Sequence, residues 1–552
     1  MTHSQPRRRR VRILPLAAMT VAVALALTGC GGGASDAQPS SRDEMTFAVA
    51  DATTTWAIDK QFAAFRDPNW AVHENLLKKG IEPIPGQESQ GSQQRLFDYE
   101  PNLASYEVSD DGLVYTFTMV DGVVSAAGNP LDADDVLYSF ERKLNTPTSI
   151  TIGAMFPAIT SMDQFAKVDD MTFTITFPAA SYGSLALALL SDFPGQIYDK
   201  ELLEENATDA DPYAVEWSST NPNYGFGAYT VESYEAGQDI VLKGRDDYFG
   251  GAPAISTINI QTVANAGTRA QTLTSGDIDI AYGLLPADQA GMIGNDALYV
   301  PTPTLTNNAL YAPLVTTKAP FDDLAVRQAF AYAVDYDQIL QNVYYGLAER
   351  GGATLLTAEP EGFDQEALGL YEHDPAKAKE ILAEAGYTGN ISFTLTVSED
   401  EADSNEAAVI LQSGAAEAGF DVDIQVLPTS AYQEGVSNHS FQAMLEHGGL
   451  IIAAPYWQLK AFFQEGNSQQ KPDFTWFEPY QTALQSGMDA GAADSPEAVA
   501  FWQQAAELWV EQNPVTVISS DLPVSYAMSS DVTGYIWSTD NTLNYAALGF
   551  AE

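Results

Sequence analysis

The residues that could do chemistry in this chain exclude more than they include. There is no Gly-x-Ser-x-Gly and no His-Glu-x-x-His. The nucleophile elbow of many hydrolases and the helical zinc site of many proteases are therefore missing. His439 and His447 stand eight residues apart, and His73 and His373 are remote from each other and from that pair. A helix brings metal ligands together at separations of three or four, so the spacing predicts no metal site and no cofactor. The only thiol is Cys30, which rules out a disulfide framework and Cys-rich zinc. The 74 Asp and Glu residues leave a glycosidase-type carboxylate pair open by counting alone, so a secreted hydrolase stands as a remote alternative to a binding protein.

Those acids face 25 Lys and Arg, a formal charge of −49 over 552 residues. A phosphate-binding surface needs clustered basic residues, so nucleic acid is excluded as a partner. Five of the arginines lie in the first twelve residues, at 7–10 and 12. An apolar run of fifteen residues, 13–27, follows them. That is the length of a signal-peptide core and short of the ~20 residues a membrane span needs. The run closes on Leu27-Thr28-Gly29-Cys30, which resembles the bacterial lipoprotein box, where the cysteine sulfur takes a diacylglyceryl group. Residues 1–29 are read as the signal and 30–44 as the lipidated Cys30 with a Gly/Ser/Ala/Pro tether. Arg9-Arg10 leaves the general and twin-arginine export routes both open. The remaining body is expected outside the cytoplasmic membrane, attached by its lipid, with a strongly acidic surface that keeps it soluble.

The body is long enough for about three or four domains and shows no repeat. Period-two alternation predicts strands at 113–119 (LVYTFTM), 171–177 (MTFTITF), 391–397 (ISFTLTV) and 420–426. Asp374-Pro375 reads as an N-cap with Pro at the first helical position, and Gly386 stops that helix. Further helices are expected at about 324–345, at 406–417 ending before Gly419, and at 496–512 closed by Pro514. From 374 to 427 the order is helix, strand, helix, strand, which argues for an α/β lobe with a wound sheet. Asp110-Asp111-Gly112 reads as a turn, Leu131–Asp135 as a helix start, and Arg327 as a partner for Asp323.

Four blocks then stand in one order: 101–142 (PNLASYEVSDDGLVYTFTMVDGVVSAAGNPLDADDVLYSFER), 224–279 (YGFGAYTVESYEAGQDIVLKGRDDYFGGAPAISTINIQTVANAGTRAQTLTSGDID), 320–346 (PFDDLAVRQAFAYAVDYDQILQNVYYG) and 371–387 (YEHDPAKAKEILAEAGY). Together they resemble the extracytoplasmic solute-binding proteins, family 5, of oligopeptide and dipeptide ABC importers, over about residues 45–552. The resemblance implies an α/β, two-lobed periplasmic-binding-protein clamshell with mixed sheets flanked by helices. Lobe I would comprise 45–307 and 516–552, with an extra subdomain at about 73–190, and lobe II would be 308–515. Crossing segments near 305–310 and 513–520 would form a hinge. The implied protein is a monomer without catalysis. It would capture a solute, a peptide by family precedent, and deliver it to a membrane permease and its ATPases, or present it to a sensor.

The resemblance also directs attention to ligand residues. Peptide-binding members hold the ligand's amino group with an Asp in a lobe II loop, Gly-Trp-x-x-Asp before Asp-Pro. The corresponding stretch, 445–463 (LEHGGLIIAAPYWQLKAFF), has no Asp; Glu446 and His447 are the nearby acid and base. A buried ammonium without a carboxylate is costly. A free peptide N-terminus thus requires Glu446 or a distant acid, and an oligosaccharide, opine or other small solute is the alternative. Tyr456 and Trp457 offer stacking faces for such ligands. In the family the loop after the first strand faces the cleft, which adds Thr54, Thr55 and Trp56. Tyr526 and Trp537, beyond the return crossing, complete the expected set.

Overall fold

The computed structural model describes residues 42–51, 55–57, 67–146, 157–235, 237–357, 359–448, 452, 454–460 and 477–551. The first strand, Glu44–Val49, buries Met45, Phe47 and Val49 on one face, as period-two geometry dictates. It runs parallel to Thr257–Thr262 on one side and Ile280–Tyr282 on the other. A seven-stranded sheet grows from this centre in the order Tyr229–Tyr234, Ile240–Gly244, Thr257–Thr262, Glu44–Val49, Ile280–Tyr282, Tyr526–Ser529, Leu298–Tyr299. One of its inner strands, Tyr526–Ser529, thus comes from the far end of the chain.

An antiparallel layer is inserted between the strands of that sheet. Ala104–Val108, Val114–Met119, Thr172–Thr176 and Phe165–Asp169 pair in that spatial order. Its buried face stacks Phe117 on Phe173, ring centroids 4.9 Å apart. The Ala133–Asn145 helix packs beside it, started by a capping box: Asp132 accepts from Asp134 N and Asp135 N, and the Asp135 side chain accepts from Asp132 N.

The second lobe is a parallel sheet, Phe420–Leu427, Ile391–Ser398, Ala443–Met444, with the Ala402–Glu417 helix joining its first two strands in sequence. Phe321, Phe330, Phe393 and Phe420 fill its core in edge-to-face pairs with centroids 4.9–6.1 Å apart. A second small sheet, Glu446–Gly448, Ala309–Pro313, Val515–Ser519, stands where the chain enters and leaves this lobe. Because Val515–Ser519 pairs with Ala309–Pro313, the chain quits the second lobe only after Ser519. The two crossings touch there: Leu522 N donates to Asn308 O at 2.8 Å.

Two sequence expectations are altered. The helix expected over 324–345 is two helices, Leu324–Ala333 and Tyr336–Asn342. Asp335 breaks it by capping the second with its own carboxylate, accepting from Gln338 N. Arg327, expected beside Asp323, interacts electrostatically with Asp323 and Asp322, but its hydrogen bonds go to the carbonyls of Gln512 (2.9 Å) and Phe321 (2.8 Å). Asp323 caps the 324–333 helix and accepts from the Tyr387 hydroxyl. Buried carbonyls left open at helix ends and turns compete for a guanidinium as effectively as a carboxylate that already has donors.

Candidate ligand cleft

In open α/β sheets, ligands bind outside the carboxyl ends of the parallel strands. In the second lobe those ends are Ser398, Leu427 and Met444. The loops that follow them converge on a cavity of about 210 Å³ lined by Tyr311, Ser398, Glu401, Tyr432, Glu446 and His447 among others. Tyr311 reaches it from the strand just past the first crossing, where it pairs in register with Glu446. The cavity therefore sits beside the crossings.

Its chemistry is acidic, with His447 as the cation among the described residues. His447 is clamped: Nδ1 lies 2.8 Å from Glu401 Oε2 and Nε2 lies 2.9 Å from Asp403 Oδ2. Burial alone would pull the imidazole pKa down, but the two carboxylates overcome it and push it up to about 10. The Asp403 carboxyl, raised by burial, is brought below its ordinary range by His447, by the Tyr344 hydroxyl (3.0 Å) and by Ser404 N. The Glu446 carboxylate faces the hydroxyls of Tyr311 and Tyr432, whose pKa values rise through burial first and that charge second. Tyr432 also donates to Leu445 O at 2.9 Å.

Glu401, Asp403 and His447 bring ligand atoms within 4.8 Å of one another, close enough for a metal ion. With a carboxylate on each ring nitrogen, however, the imidazolium has no lone pair to offer, and a metal would have to displace a proton and a partner. The arrangement suits a charge clamp beside a carboxylate, Glu446, that is held by neutral hydroxyls.

Of the other expected ligand residues, Trp56, Tyr526 and Trp537 belong to one buried apolar cluster, and Tyr456 and Trp457 to another. Thr55 is buried, its hydroxyl accepting from Ala57 N at 3.3 Å. Trp56 is fully buried and meets the Tyr234 ring edge-on at 5.3 Å. Its backbone is fixed by Ser219 O (3.1 Å) and the Tyr224 hydroxyl (2.7 Å). Tyr526 is buried against Tyr282, with its hydroxyl on the Asp67 carboxylate. Trp537 is buried with Nε1 donating to Asn541 Oδ1 at 3.2 Å. Tyr456 and Trp457 lie on the Pro455–Lys460 helix of the second lobe. Tyr456 is turned edgewise onto Trp502, and Trp457 is half-buried. Thr54 and Cys30 fall outside the described residues. Glu446 and His447 line one cavity together. Glu401 and Asp403 escaped the sequence reading, although an acid-x-acid pair directly behind a strand is a discernible signal for the sheet's carboxyl edge.

Comparison with known proteins places this geometry. The family model of bacterial extracellular solute-binding proteins, family 5, matches residues 98–470. Heme-binding protein A of Haemophilus influenzae is 32% identical over 308 residues, 52% of this chain and 54% of that one, so the match spans about half of that relative. The dipeptide-binding protein of Escherichia coli K12 is 27% identical over 79% of this chain and 83% of its own. Among solved structures, a Helicobacter pylori ABC transporter-associated periplasmic binding protein in complex with the peptide STSA superposes with a TM-score of 0.74 at 20% identity, covering 93% of this chain and 99% of that one. The two-lobed fold is that of a periplasmic binding protein. The chain belongs to the extracellular solute-binding proteins of family 5, the extracytoplasmic binding components of ABC importers, and is not an enzyme.

Proposed function

We propose that this chain is the substrate-binding lipoprotein of an ABC importer, anchored through Cys30, that takes a peptide or peptide-like solute between its lobes. Lobe I is assigned to about 45–307 and 520–552 and lobe II to about 308–519, since Val515–Ser519 pairs with Ala309–Pro313, and the body acts as a monomer that hands its cargo to a permease. The observation that carries the ligand class is Glu446. Its carboxylate faces the hydroxyls of Tyr311 and Tyr432 at the carboxyl edge of the second lobe's sheet, beside the His447 clamp on Glu401 and Asp403. Its charge and place suit an ammonium, and the relatives named for a dipeptide and a bound peptide agree with that chemistry. A sugar or another neutral solute is the second reading, favoured by Trp457, whose indole N–H is buried with no partner among the described residues.

A thermal-shift panel of free peptides, N-acetylated peptides and oligosaccharides decides between them. A ligand at a hundred times its dissociation constant adds about 2.7 kcal/mol of stability. Free peptides are expected to stabilise the wild type and to lose that effect in Glu446→Gln. Stabilisation by acetylated peptides or sugars alone would overturn the amino-group reading.

A further inference from the structure

Asn307 lies in the first crossing, next to the contact of Leu522 N with Asn308 O. Its backbone φ is +46°, in the left-handed region that asparagine tolerates better than most residues. Its side chain is buried, with 3% exposure, so water does not compete for the amide. The amide oxygen accepts from the Thr357 hydroxyl, in the second lobe, at 2.9 Å. The amide nitrogen donates to Thr539 O, in the C-terminal part of the first lobe.

Each end of this bridge is tied deeper into its lobe. On the second-lobe side, Gln458 takes Thr357 in a two-point grip: Thr357 N donates to Gln458 Oε1 at 3.1 Å, and Gln458 Nε2 donates to Thr357 Oγ1 at 2.9 Å. Gln458 is fully buried and sits on the Pro455–Lys460 helix, next to Trp457. On the first-lobe side, the Thr539 hydroxyl accepts from Lys79 Nζ at 2.8 Å. Lys79 is itself locked to Asp192 at 3.0 Å in a buried ion pair. Polar contacts thus run from the Pro455–Lys460 helix to the buried pair in the first lobe by way of the Asn307 side chain.

We propose that Asn307 is the positioning residue of the hinge. Its amide grips both lobes at once and ties the lobe angle to the placement of the Pro455–Lys460 helix. The inference rests on the two-lobed reading of the chain and deepens it. A rotation about the crossings cannot leave all these bonds intact, because donor and acceptor belong to different bodies and the pivot side chain is sealed from solvent. The network therefore selects discrete lobe angles instead of a continuum. A solute that shifts the 455–460 helix changes which angle the amide can satisfy.

The test uses the full chain carrying Cys30→Ser, with nitroxides at Gln271→Cys on the first lobe's Ala266–Ser275 helix and Val409→Cys on the second lobe's Ala402–Glu417 helix, both exposed positions. The inter-lobe distance distribution is measured by pulsed electron resonance with no solute added. Wild type is expected to give a narrow peak. Asn307→Ala should lose it to a broad distribution while melting cooperatively. Thr357→Val should broaden it likewise, and Thr357→Ser, which keeps the hydroxyl, should restore it. A narrow wild-type peak preserved in both Asn307→Ala and Thr357→Val overturns the proposal. If Asn307→Ala does not fold, the Val and Ser variants of Thr357 decide alone. Since no solute is present, failure here is separate from failure of the ligand assignment, which the thermal-shift panel reads.

Discussion

His447 shows how a residue type that suggests catalysis or metal binding can instead be spent on charge. Held between Glu401 and Asp403, it is protonated at neutral pH. The folded-state pKa is raised, so the clamp's contribution to stability is complete below the unfolded imidazole value near 6.5 and is lost as pH rises through about 10. The unfolding free energy from urea melts between pH 6 and 10 is expected to fall more steeply in wild type than in His447→Gln, by an amount on the order of 2 kcal/mol at the alkaline end. Equal slopes would show that the clamp carries no net stability. The sequence pointed to Glu446 and His447 through the family's lobe II loop, but not to their partners. Glu401 and Asp403 lie more than forty residues earlier, and only the parallel pairing of Ile391–Ser398 with Ala443–Met444 brings the loops together. Trp56, Tyr526 and Trp537 are buried, and aromatic type alone does not distinguish a cleft wall from a core.

At the scale of elements, local rules were most legible where one side chain settles the matter. The strands at 114–119, 172–176, 391–398 and 420–427 lie within a residue of their alternation patterns. The Pro375–Glu384 helix starts at its Asp374 cap and stops before Gly386, whose φ is +92°. The break at Asp335 was hidden because the apolar period continues through it; a cap competing with the helix interior does not register in hydrophobic spacing. Asp132→Ala removes half of the capping box on the Ala133–Asn145 helix and should cost about 1 kcal/mol in denaturant unfolding. Packing between elements is costlier to disturb. Trp502 of the Pro496–Gln512 helix lies against Gly487 of the Glu478–Asp489 helix so closely that a Cβ there would sit 2.4 Å from the indole. Gly487→Ala must push the indole or the helices apart, an overpacking penalty of about 1–3 kcal/mol visible as a lower melting temperature.

For the whole molecule, the four-block resemblance made the architecture legible, while the path of the crossings needed the sheets. The return strand Val515–Ser519, within the span assigned to the hinge from sequence, is paired inside the second lobe. Hinge closure predicts a smaller radius of gyration by small-angle scattering when a stabilising solute is added; an unchanged radius with tight binding would sink the clamshell mechanism for this protein. Cys30→Ala should move the protein from the membrane fraction to the medium, and retention on the membrane would refute the lipid anchor.

The strand Tyr526–Ser529 carries one more consequence. It lies between Ile280–Tyr282 and Leu298–Tyr299, inside a sheet begun by residues 44–49. During synthesis and translocation the emerging chain holds an unfilled slot, with the edge of Ile280–Tyr282 bare, until nearly the last residues arrive. The second lobe, whose strands all precede 520, can mature earlier. The seven-stranded sheet is therefore expected to complete after the second lobe, with its first strand, Glu44–Val49, protected late. A nascent-chain series shortened from the C-terminus should show this as late protection of residues 44–49, arising only once 526–529 have been delivered.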